Sequence, residues 1–276
     1  MKYRLIAFDL DGTLRSPQYR ISQRTKEAIA RAMAAGAEIT IATGRMFQAT
    51  LPFATELNIR TPIICYQGAL IGDPVSRAPL WHKPIPLPLA RRAIEVIESV
   101  GLHVNAYVED ELYVRTLNET AQKYMIALDV KAHPVGDLNS FLSKEPTKLA
   151  AIGEEGKIDS LVRDFSKAFG SSLMITKPYP TLCEIGHPTG SKGQALAYLA
   201  NFLEIPREEV VAFGDSPNDV DMLRWAGLAV AMADAPPEVV EVADLVAAPV
   251  AEDGAARVVE DLLGRGSIGV ELPEEV

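Results

Sequence analysis

Along the first 80 residues and again beyond residue 187, short apolar runs typical of buried strands alternate with stretches in which apolar residues recur at helical spacing. Leu5–Phe8 is an unbroken apolar run, typical of a strand that is buried on both faces of a parallel sheet. Apolar residues then recur at helical spacing between Ser22, which can cap a helix, and Gly36, which can end it. The same alternation predicts further strands at 38–42, 62–66, 210–213 and 228–232. Strands that alternate with helices predict an α/β fold with a doubly wound parallel sheet.

The stretch 83–187 follows a different pattern. After a proline-rich start, it predicts helices at 89–100, 118–128 and 158–169, and strands at 103–108, 111–115, 146–152, 173–175 and 182–185. Hairpin strands combined with helices are typical of an α+β domain. We therefore predict a sheet domain over 1–82 and 188–276 that is interrupted by an inserted α+β domain over 83–187, because exposed loops tolerate insertions. Residues 267–276 show no regular pattern.

Charge and composition narrow the class of protein. The formal net charge of -10 argues against nonspecific binding to nucleic acid or to an anionic membrane, both of which need a basic surface. No run of the sequence approaches the ~20 apolar residues of a membrane span, so we expect a cytoplasmic protein without a membrane partner. Cys65 and Cys183 lie far apart in apolar runs, without metal-ligand spacing, and are expected to be packed thiols.

Two carboxylates follow the first strand, one residue apart. Asp9 and Asp11 share one face of an extended chain, about 7 Å apart, and point toward the crevice where open α/β sheets bind ligands. Such charges repel each other unless a proton or a cation lies between them. Gly12 and Thr13 suit a tight turn, so an ordinary strand-to-loop turn is the alternative interpretation. A calcium-binding EF-hand loop does not fit, because its glycine stands at the sixth position and Gly12 stands at the fourth.

Lys192 stands in the first turn of a predicted helix, where the positive end of the helix dipole disfavours a cation. A phosphate bound at that helix start would resolve the conflict, since exposed N–H groups and an ammonium both favour it. A solvated lysine on the helix surface is the alternative.

A third polar group follows the predicted strand at 210–213. Asp215 lies at the strand end, and Asn218 and Asp219 lie in the helical turn after it. Acidic residues in a first turn stabilise a helix without any further function, which is the alternative for Asp219 and Asp221. The oxygens of this group and of Asp9 and Asp11 suit Mg²⁺, which takes carboxylates and substrate phosphate as ligands, and Lys192 would bind the same phosphate. Phosphoryl transfer is the matching reaction class.

Four motifs resemble those of the haloacid dehalogenase superfamily, specifically the Cof-type phosphatases with a large type II cap of subclass IIB. The motifs are DLDGT at 9–13, ATGR at 42–45, GSKGQAL at 190–196 and FGDSPNDVDML at 213–223. They occur in the family order, and the insertion lies between the second and the third, where that cap belongs. The chain departs from the family at one place, where it has Gln67-Gly68-Ala69 and the family often has Asn-Gly-Ala.

The resemblance implies a role for each motif. Asp9 would be the nucleophile that forms an aspartyl-phosphate, and Asp11 would protonate the leaving oxygen and then deprotonate a water. Thr43, the Gly44 backbone and Lys192 would hold the phosphoryl oxygens. The inserted domain would close over the site, exclude water and select the leaving group.

The resemblance also implies a Mg²⁺ site. The Asp9 carboxylate, the Asp11 backbone carbonyl and Asp215 would hold the ion. Asn218 would support the phosphate or the metal, and Asp219 would orient the ligands without binding the ion itself.

The implied function is that of a phosphatase, a phosphoric monoester hydrolase that acts on a small phosphorylated metabolite as a monomer or homodimer. Sugar phosphates, flavin mononucleotide and pyridoxal phosphate are all open as substrates. A phosphomutase or phosphotransferase that uses the same intermediate, and a non-catalytic sensor of a phosphorylated metabolite, are the alternatives. Arg45 either contacts the substrate or forms a structural ion pair.

Overall fold

The structure is a computed structural model that describes residues 2–269. Its strands, numbered in chain order, are β1 Leu5–Phe8, β2 Glu38–Ile41, β3 Ile63–Cys65, β4 Leu70–Gly72, β5 Pro79–His82, β6 His103–Val108, β7 Glu111–Val114, β8 Ala132–Pro134, β9 Lys148–Ile152, β10 Met174–Tyr179, β11 Leu182–Gly186, β12 Val210–Gly214, β13 Leu228–Met232 and β14 Leu245–Ala247. Its helices are α1 Gln23–Ala34, α2 Phe47–Glu56, α3 Leu87–Ser99, α4 Glu119–Leu128, α5 Leu138–Phe141, α6 Glu155–Phe169, α7 Lys192–Phe202, α8 Val220–Trp225, α9 Pro237–Val240 and α10 Gly254–Gly264. Within these described residues, no helix combines the length and the apolar character needed to cross a bilayer.

The chain forms two compact units. The first is assembled from Met1–Gly44, Thr50–Leu80 and Ser191–Val276, and the second from Arg45–Ala49 and Trp81–Gly190. The main sheet of the first unit has five parallel strands in the order β14-β13-β12-β1-β2. The predicted α/β class with a parallel sheet is therefore confirmed.

β1 lies inside this sheet, between β2 and β12, and its four residues are all apolar and completely buried. It pairs in parallel with β2 on one side and with β12 on the other. Phe8 of β1 stacks on Phe213 of β12, with the ring centroids 4.6 Å apart. The chain leaves β1 toward β2 and returns much later on the opposite side, so the strand order reverses at β1. Open α/β sheets bind their ligands at the carboxyl ends of the strands at such a point.

The third predicted strand does not extend the parallel sheet as expected. A single parallel bridge joins Ile64 of β3 to Ala42, the residue after β2. Strand β3 pairs antiparallel with β4 instead, in a separate sheet of order β3-β4-β5. β3 and β4 have three residues each, which is too few for an alternation of apolar and polar positions to reveal β4 in the sequence.

The second unit is built on a six-stranded sheet of order β10-β11-β9-β6-β7-β8. All neighbouring strands are antiparallel except β7 and β8, and the short strand β8 was not predicted. Ile94 of α3 and Phe165 of α6 belong to one buried cluster with Leu149 and Cys183 of the sheet. This arrangement has the predicted α+β character, and Cys183 is a buried free thiol, as is Cys65. The sequence bounds of the insertion, 83–187, stay a prediction.

The end of the described chain is more regular than its sequence pattern suggested. Ile268 forms a parallel bridge with Tyr3 and is buried. The remainder of the stretch 267–276, from residue 270 onward, lies outside the described residues.

Candidate active site

Acidic side chains gather at the carboxyl ends of the two central strands, β1 and β12. The Asp9 N–H donates to the Phe213 carbonyl at 2.9 Å, which fixes the end of β1 beside the end of β12. Asp215 follows β12 directly, and one carboxylate oxygen from each of Asp9, Asp215 and Asp219 lies within 4.8 Å of the others. The sheet thus brings residues from opposite ends of the chain into one group.

Lys192 begins α7 and is almost completely buried, with 1% of its surface exposed. Its ammonium donates to Oδ1 of Asp9 at 2.5 Å and to Oδ1 of Asp219 at 2.6 Å. The two carboxylates offset both its burial and its unfavourable position at the positive end of the helix dipole. Lys192 is therefore not the solvated surface lysine of the alternative interpretation.

Asp219 is completely buried and uses both of its carboxylate oxygens. Oδ1 accepts from Lys192, and Oδ2 accepts the backbone N–H groups of Asp215 and Ser216 at 3.1 and 3.0 Å. Ser216 in turn caps the same turn, so the pair forms a capping box. Asp219 therefore has the helix-capping role of the alternative interpretation, and it also holds Lys192 and the Asp215 backbone in place.

Three carboxylates and one ammonium leave this group with excess negative charge. Burial raises the pKa of Asp9 well above its usual value; the Lys192 ammonium opposes this increase, and the charges of Asp219 and Asp215 add to it. Burial and the charge of Asp219 raise the pKa of Asp215 to about 6. Burial alone would lower the pKa of Lys192, but the carboxylates of Asp219 and Asp9 raise it. A bound cation would supply the positive charge that these shifts indicate is missing.

The Asp215 carboxylate is held by hydroxyl groups on both sides. Thr13 Oγ1 donates to Oδ1 and Ser216 Oγ donates to Oδ2, each at 2.9 Å. Gly12 lies directly against the same carboxylate, with φ at +107°, so a Cβ there would overlap the Asp215 side chain and strain the backbone. The turn after β1 is therefore shaped to admit Asp215 as well as to reverse the chain.

Thr43, Gly44 and Asn218 form a second group, which Gln67 joins together. The Gln67 N–H donates to the Thr43 carbonyl at 3.0 Å, and Asn218 Nδ2 donates to Gln67 Oε1 at 2.8 Å. Gln67 Nε2 lies against Gly44, in the space that a side chain there would occupy. The ends of β2 and β3 and the turn after β12 are thus linked through one glutamine.

Asp11 lies in the turn after β1, with 30% of its side chain exposed. Arg15 Nη1 donates to Asp11 Oδ1 at 2.7 Å, and the Arg15 guanidinium lies over the Phe53 ring, 5.5 Å from its centroid. The aromatic contact restrains the arginine, and the arginine restrains the carboxylate. Sequence reasoning did not single out Arg15, although its four-residue spacing from Asp11 was an available signal.

Arg45 belongs to the second unit. That unit has a polar cluster of its own, in which Lys148 Nζ donates to Glu184 at 2.5 Å with both side chains buried. Burial raises the pKa of Tyr124 in this unit, and the positive charges of Lys148 and Arg45 oppose that increase. Arg45 is therefore electrostatically coupled to a cluster that the sequence motifs did not indicate.

The donor set of the first unit fits a divalent cation that prefers oxygen ligands. Both oxygens of Asp219 are already engaged by Lys192 and by backbone N–H groups. Asp215 also accepts two hydrogen bonds, but they come from hydroxyl groups and its side chain is only partly buried, whereas Asp219 is completely buried against an ammonium and two backbone N–H groups. Asp9 and Asp215 are therefore the carboxylates of this group that are better suited to hold an ion.

Three supporting residues were not predicted to be part of the site. Thr13 and Ser216 hold Asp215, and both occur inside the motifs, which was the available signal. Asp221 Oδ2 accepts the Gly193 N–H at 3.0 Å at the start of α7. The sequence showed Asp221 only as an acid near the start of its own helix. Its contact with Gly193 could not be predicted, because Gly193 belongs to another helix.

The parallel sheet and the group at its carboxyl edge together define a hydrolase of the haloacid dehalogenase type. A profile of the haloacid dehalogenase-like hydrolase family matches residues 6–259, and the chain belongs to that family. Pyridoxal phosphate phosphatase YbhA of Escherichia coli is 31% identical, over 85% of this chain and 89% of its own. The 5-amino-6-(5-phospho-D-ribitylamino)uracil phosphatase YitU of Bacillus subtilis is 28% identical, over 93% of this chain and 96% of its own.

A solved structure extends the similarity to the whole fold. The sugar phosphatase BT4131 of subclass IIB matches with a TM-score of 0.81 at 27% identity, over 96% of this chain and 100% of that one. The predicted family, the fold class and the assignment to a phosphatase-type enzyme are thereby confirmed.

Proposed function

We propose that this chain is a Mg²⁺-dependent phosphatase that hydrolyses small phosphorylated metabolites through an aspartyl-phosphate on Asp9. The observation that carries the proposal is the direct contact of buried Lys192 with Asp9, beside Asp215 and Asp219. This group combines a carboxylate nucleophile, an ammonium for phosphoryl oxygens and further oxygens for a cation. A protein that only sensed a phosphorylated metabolite would have no need for a buried nucleophile.

The reaction proceeds in two displacements. A carboxylate oxygen of Asp9 attacks phosphorus, the bond to the leaving oxygen breaks, and Asp11 gives its proton to that oxygen. Thr43, the Gly44 backbone and Lys192 hold the phosphoryl oxygens and stabilise their developing charge. Asp11 then takes a proton from a water whose oxygen attacks phosphorus, the acyl-phosphate bond breaks, and phosphate leaves with Asp9 restored.

The proposed Mg²⁺ ligands are the carboxylates of Asp9 and Asp215 and the backbone carbonyl of Asp11. Asp219 fits an orienting role, since its two oxygens are engaged by neighbouring groups. Asn218 would support the phosphoryl group or the ion. When bound, the ion supplies positive charge that neutralises the phosphoryl group and the carboxylates.

The substrates proposed are sugar phosphates or similar phosphomonoesters. The two relatives are named as phosphatases of pyridoxal phosphate and of a phosphorylated ribitylaminouracil, and the structural neighbour as a sugar phosphatase. All three names describe phosphomonoesters of small metabolites, which supports this class of substrate. The cytoplasmic location and the monomeric or homodimeric state stay predictions.

A screen of phosphorylated metabolites with Mg²⁺ tests the proposal, with kcat/KM as the measure. Hydrolysis in isotopically labelled water should place the label in the released phosphate. Transfer of the phosphoryl group to a sugar hydroxyl without label would identify a phosphomutase or phosphotransferase instead. Tight binding of a metabolite without turnover, with Mg²⁺ present, would favour the sensor.

The close approach of Gly12 to Asp215 predicts that Gly12→Ala loses activity. The added Cβ would displace the Asp215 carboxylate, so kcat/KM should fall on the order of 10²-fold. Gly264→Ala is the matched control, because a Cβ at that position has no atom within 4 Å and its activity should equal the parent's. Parent-like kcat/KM in a folded Gly12→Ala protein would contradict the proposed placement of Asp215.

Stabilisation by Mg²⁺ should depend on pH. Because the pKa of Asp215 is about 6 in the folded chain, above its unfolded value, the folded state keeps a proton that the unfolded state releases. The free energy of unfolding without metal therefore decreases as pH rises toward 6, and the charged site then gains most from a cation. We expect Mg²⁺ to raise the melting temperature more at about pH 7.5 than at about pH 5.

Thermal unfolding with and without MgCl₂ at the two pH values measures this effect. Asp215→Asn should remove most of the difference in stabilisation between the two pH values, because it removes a ligand whose pKa of about 6 lies between them. The metal assignment would be contradicted if Mg²⁺ raised the melting temperature equally at both pH values. It would also be contradicted if the pH dependence were undiminished in Asp215→Asn.

A further inference from the structure

The turn Tyr66–Gly68 has an unusual backbone beside the proposed site. Tyr66 and Gln67 have φ values of +53° and +59°, in the left-handed region that residues other than glycine seldom adopt, and Gly68 follows at +99°. Consecutive residues of this kind persist only where surrounding contacts hold them. The contacts of this turn therefore indicate what it is shaped to do.

The turn contacts two residues that we assign to phosphate binding, Thr43 and Gly44, and the residue that precedes Lys192. The Gln67 N–H donates to the Thr43 carbonyl at 3.0 Å, and Gln67 Nε2 lies against Gly44. Gly68 lies so close to the Ser191 backbone that a Cβ on Gly68 would overlap it, and Ser191 is the residue that caps α7. The turn thus contacts two separate parts of the proposed phosphate site.

We propose that Gln67 is a positioning residue that fixes the Asn218 amide for contact with the phosphoryl group, an inference that rests on the proposed function. Asn218 Nδ2 donates to Gln67 Oε1 at 2.8 Å, and Gln67 is 5% exposed. Because the carboxamide is planar, this bond sets the direction in which Asn218 presents its oxygen and its second N–H. Gln67 itself is fixed at its backbone by Thr43.

The length of the glutamine side chain matters for this role. The backbone of Gln67 is fixed by its bond to Thr43, and its side chain spans the distance from there to Asn218. An asparagine on the same backbone would end one methylene short. The departure from the Asn-Gly-Ala pattern therefore gives this chain its own means of orienting Asn218.

A double-mutant cycle with Gln67→Met and Asn218→Ala tests the proposal in the full chain, using p-nitrophenyl phosphate and Mg²⁺. Gln67→Met keeps the side-chain volume, so the fold should be retained, and Gln67→Ala provides a second cycle. We expect Gln67→Met to lower kcat/KM about tenfold, mainly through kcat, with KM within about twofold of the parent's. The double variant should be no less active than Asn218→Ala alone, because Gln67 acts through Asn218.

Binding of orthovanadate with Mg²⁺, measured by calorimetry, provides a readout that does not need turnover. Both single variants and the double variant should bind it more weakly by similar factors. Gln23→Met, an exposed glutamine on α1, is the matched control and should equal the parent in both assays.

The outcomes separate this inference from the proposed function. Losses that multiply in the double variant, or a Gln67→Met protein equal to the parent, would overturn the role of Gln67. The parent and its variants could bind orthovanadate with the expected relative affinities while the parent hydrolyses no phosphomonoester. That result would overturn the proposed function and leave the role of Gln67 standing.

Discussion

Asp9→Asn is expected to abolish Mg²⁺-dependent phosphatase activity while the fold stays intact. The change removes the proposed nucleophile and one charge that holds the cation, so kcat should fall on the order of 10⁴-fold or more. Burial raises the pKa of Asp9, which means that the ionised Asp9 carboxylate destabilises the folded state. The melting temperature without metal should therefore not decrease. Steady-state kinetics and thermal unfolding measure the two effects.

The matched control for this variant is Asp164→Asn, which changes an exposed carboxylate on α6 and should keep the parent activity. Mass spectrometry on freshly purified protein excludes deamidation of the new asparagine. Acid quenching with a labelled substrate should trap label on Asp9 in the parent and none in the variant. Near-normal turnover of intact Asp9→Asn would rule out Asp9 as the nucleophile.

Lys192→Ala is expected to lose both activity and stability. Phosphate binding and transition-state stabilisation should weaken, with kcat/KM falling on the order of 10²- to 10³-fold. The substitution also leaves Asp9 and Asp219 buried without their cationic partner, which should cost about 3–5 kcal/mol of unfolding free energy. Kinetics and chemical denaturation of the same preparation measure these losses.

A second variant separates the two effects. Lys192→Met combined with Asp219→Asn replaces the ion pair by neutral side chains of similar size, so it should recover much of the stability and none of the activity. Lys26→Ala, which removes a partly exposed lysine paired with Glu56, should leave activity unchanged. Parent-like kcat/KM in the double variant would reduce Lys192 to a structural role.

The regular parts of the fold were predictable because their patterns are long enough to interpret. β1 and β12 are continuous apolar runs, since both faces of a central parallel strand are buried. β8 has three residues and β4 likewise, so neither could show an alternation. The position of β3 depends on its antiparallel partner β4, a tertiary choice that its own residues do not contain.

The candidate site divides in the same way. The motifs located Asp9, Asp215 and Lys192, because carboxylates that follow parallel strands point to the ligand crevice and a lysine in a first helical turn opposes the helix dipole. Partners distant in sequence were not predictable. The bond between Asn218 and Gln67 joins residues 151 positions apart, and a helix-start acid such as Asp219 has the same sequence signature whether or not it also holds a lysine.

The discontinuous make-up of the first unit has a consequence for biosynthesis. β1 is translated before the second unit, but its neighbour β12, which pairs Val210 with Leu5, is translated on the order of 10–40 s after β1 at typical elongation rates. The second unit comes mainly from one continuous stretch, Trp81–Gly190, and its chain is complete before β12 is made. A nascent polypeptide of this protein therefore cannot complete its main sheet until the second unit and then β12, β13 and β14 have been translated.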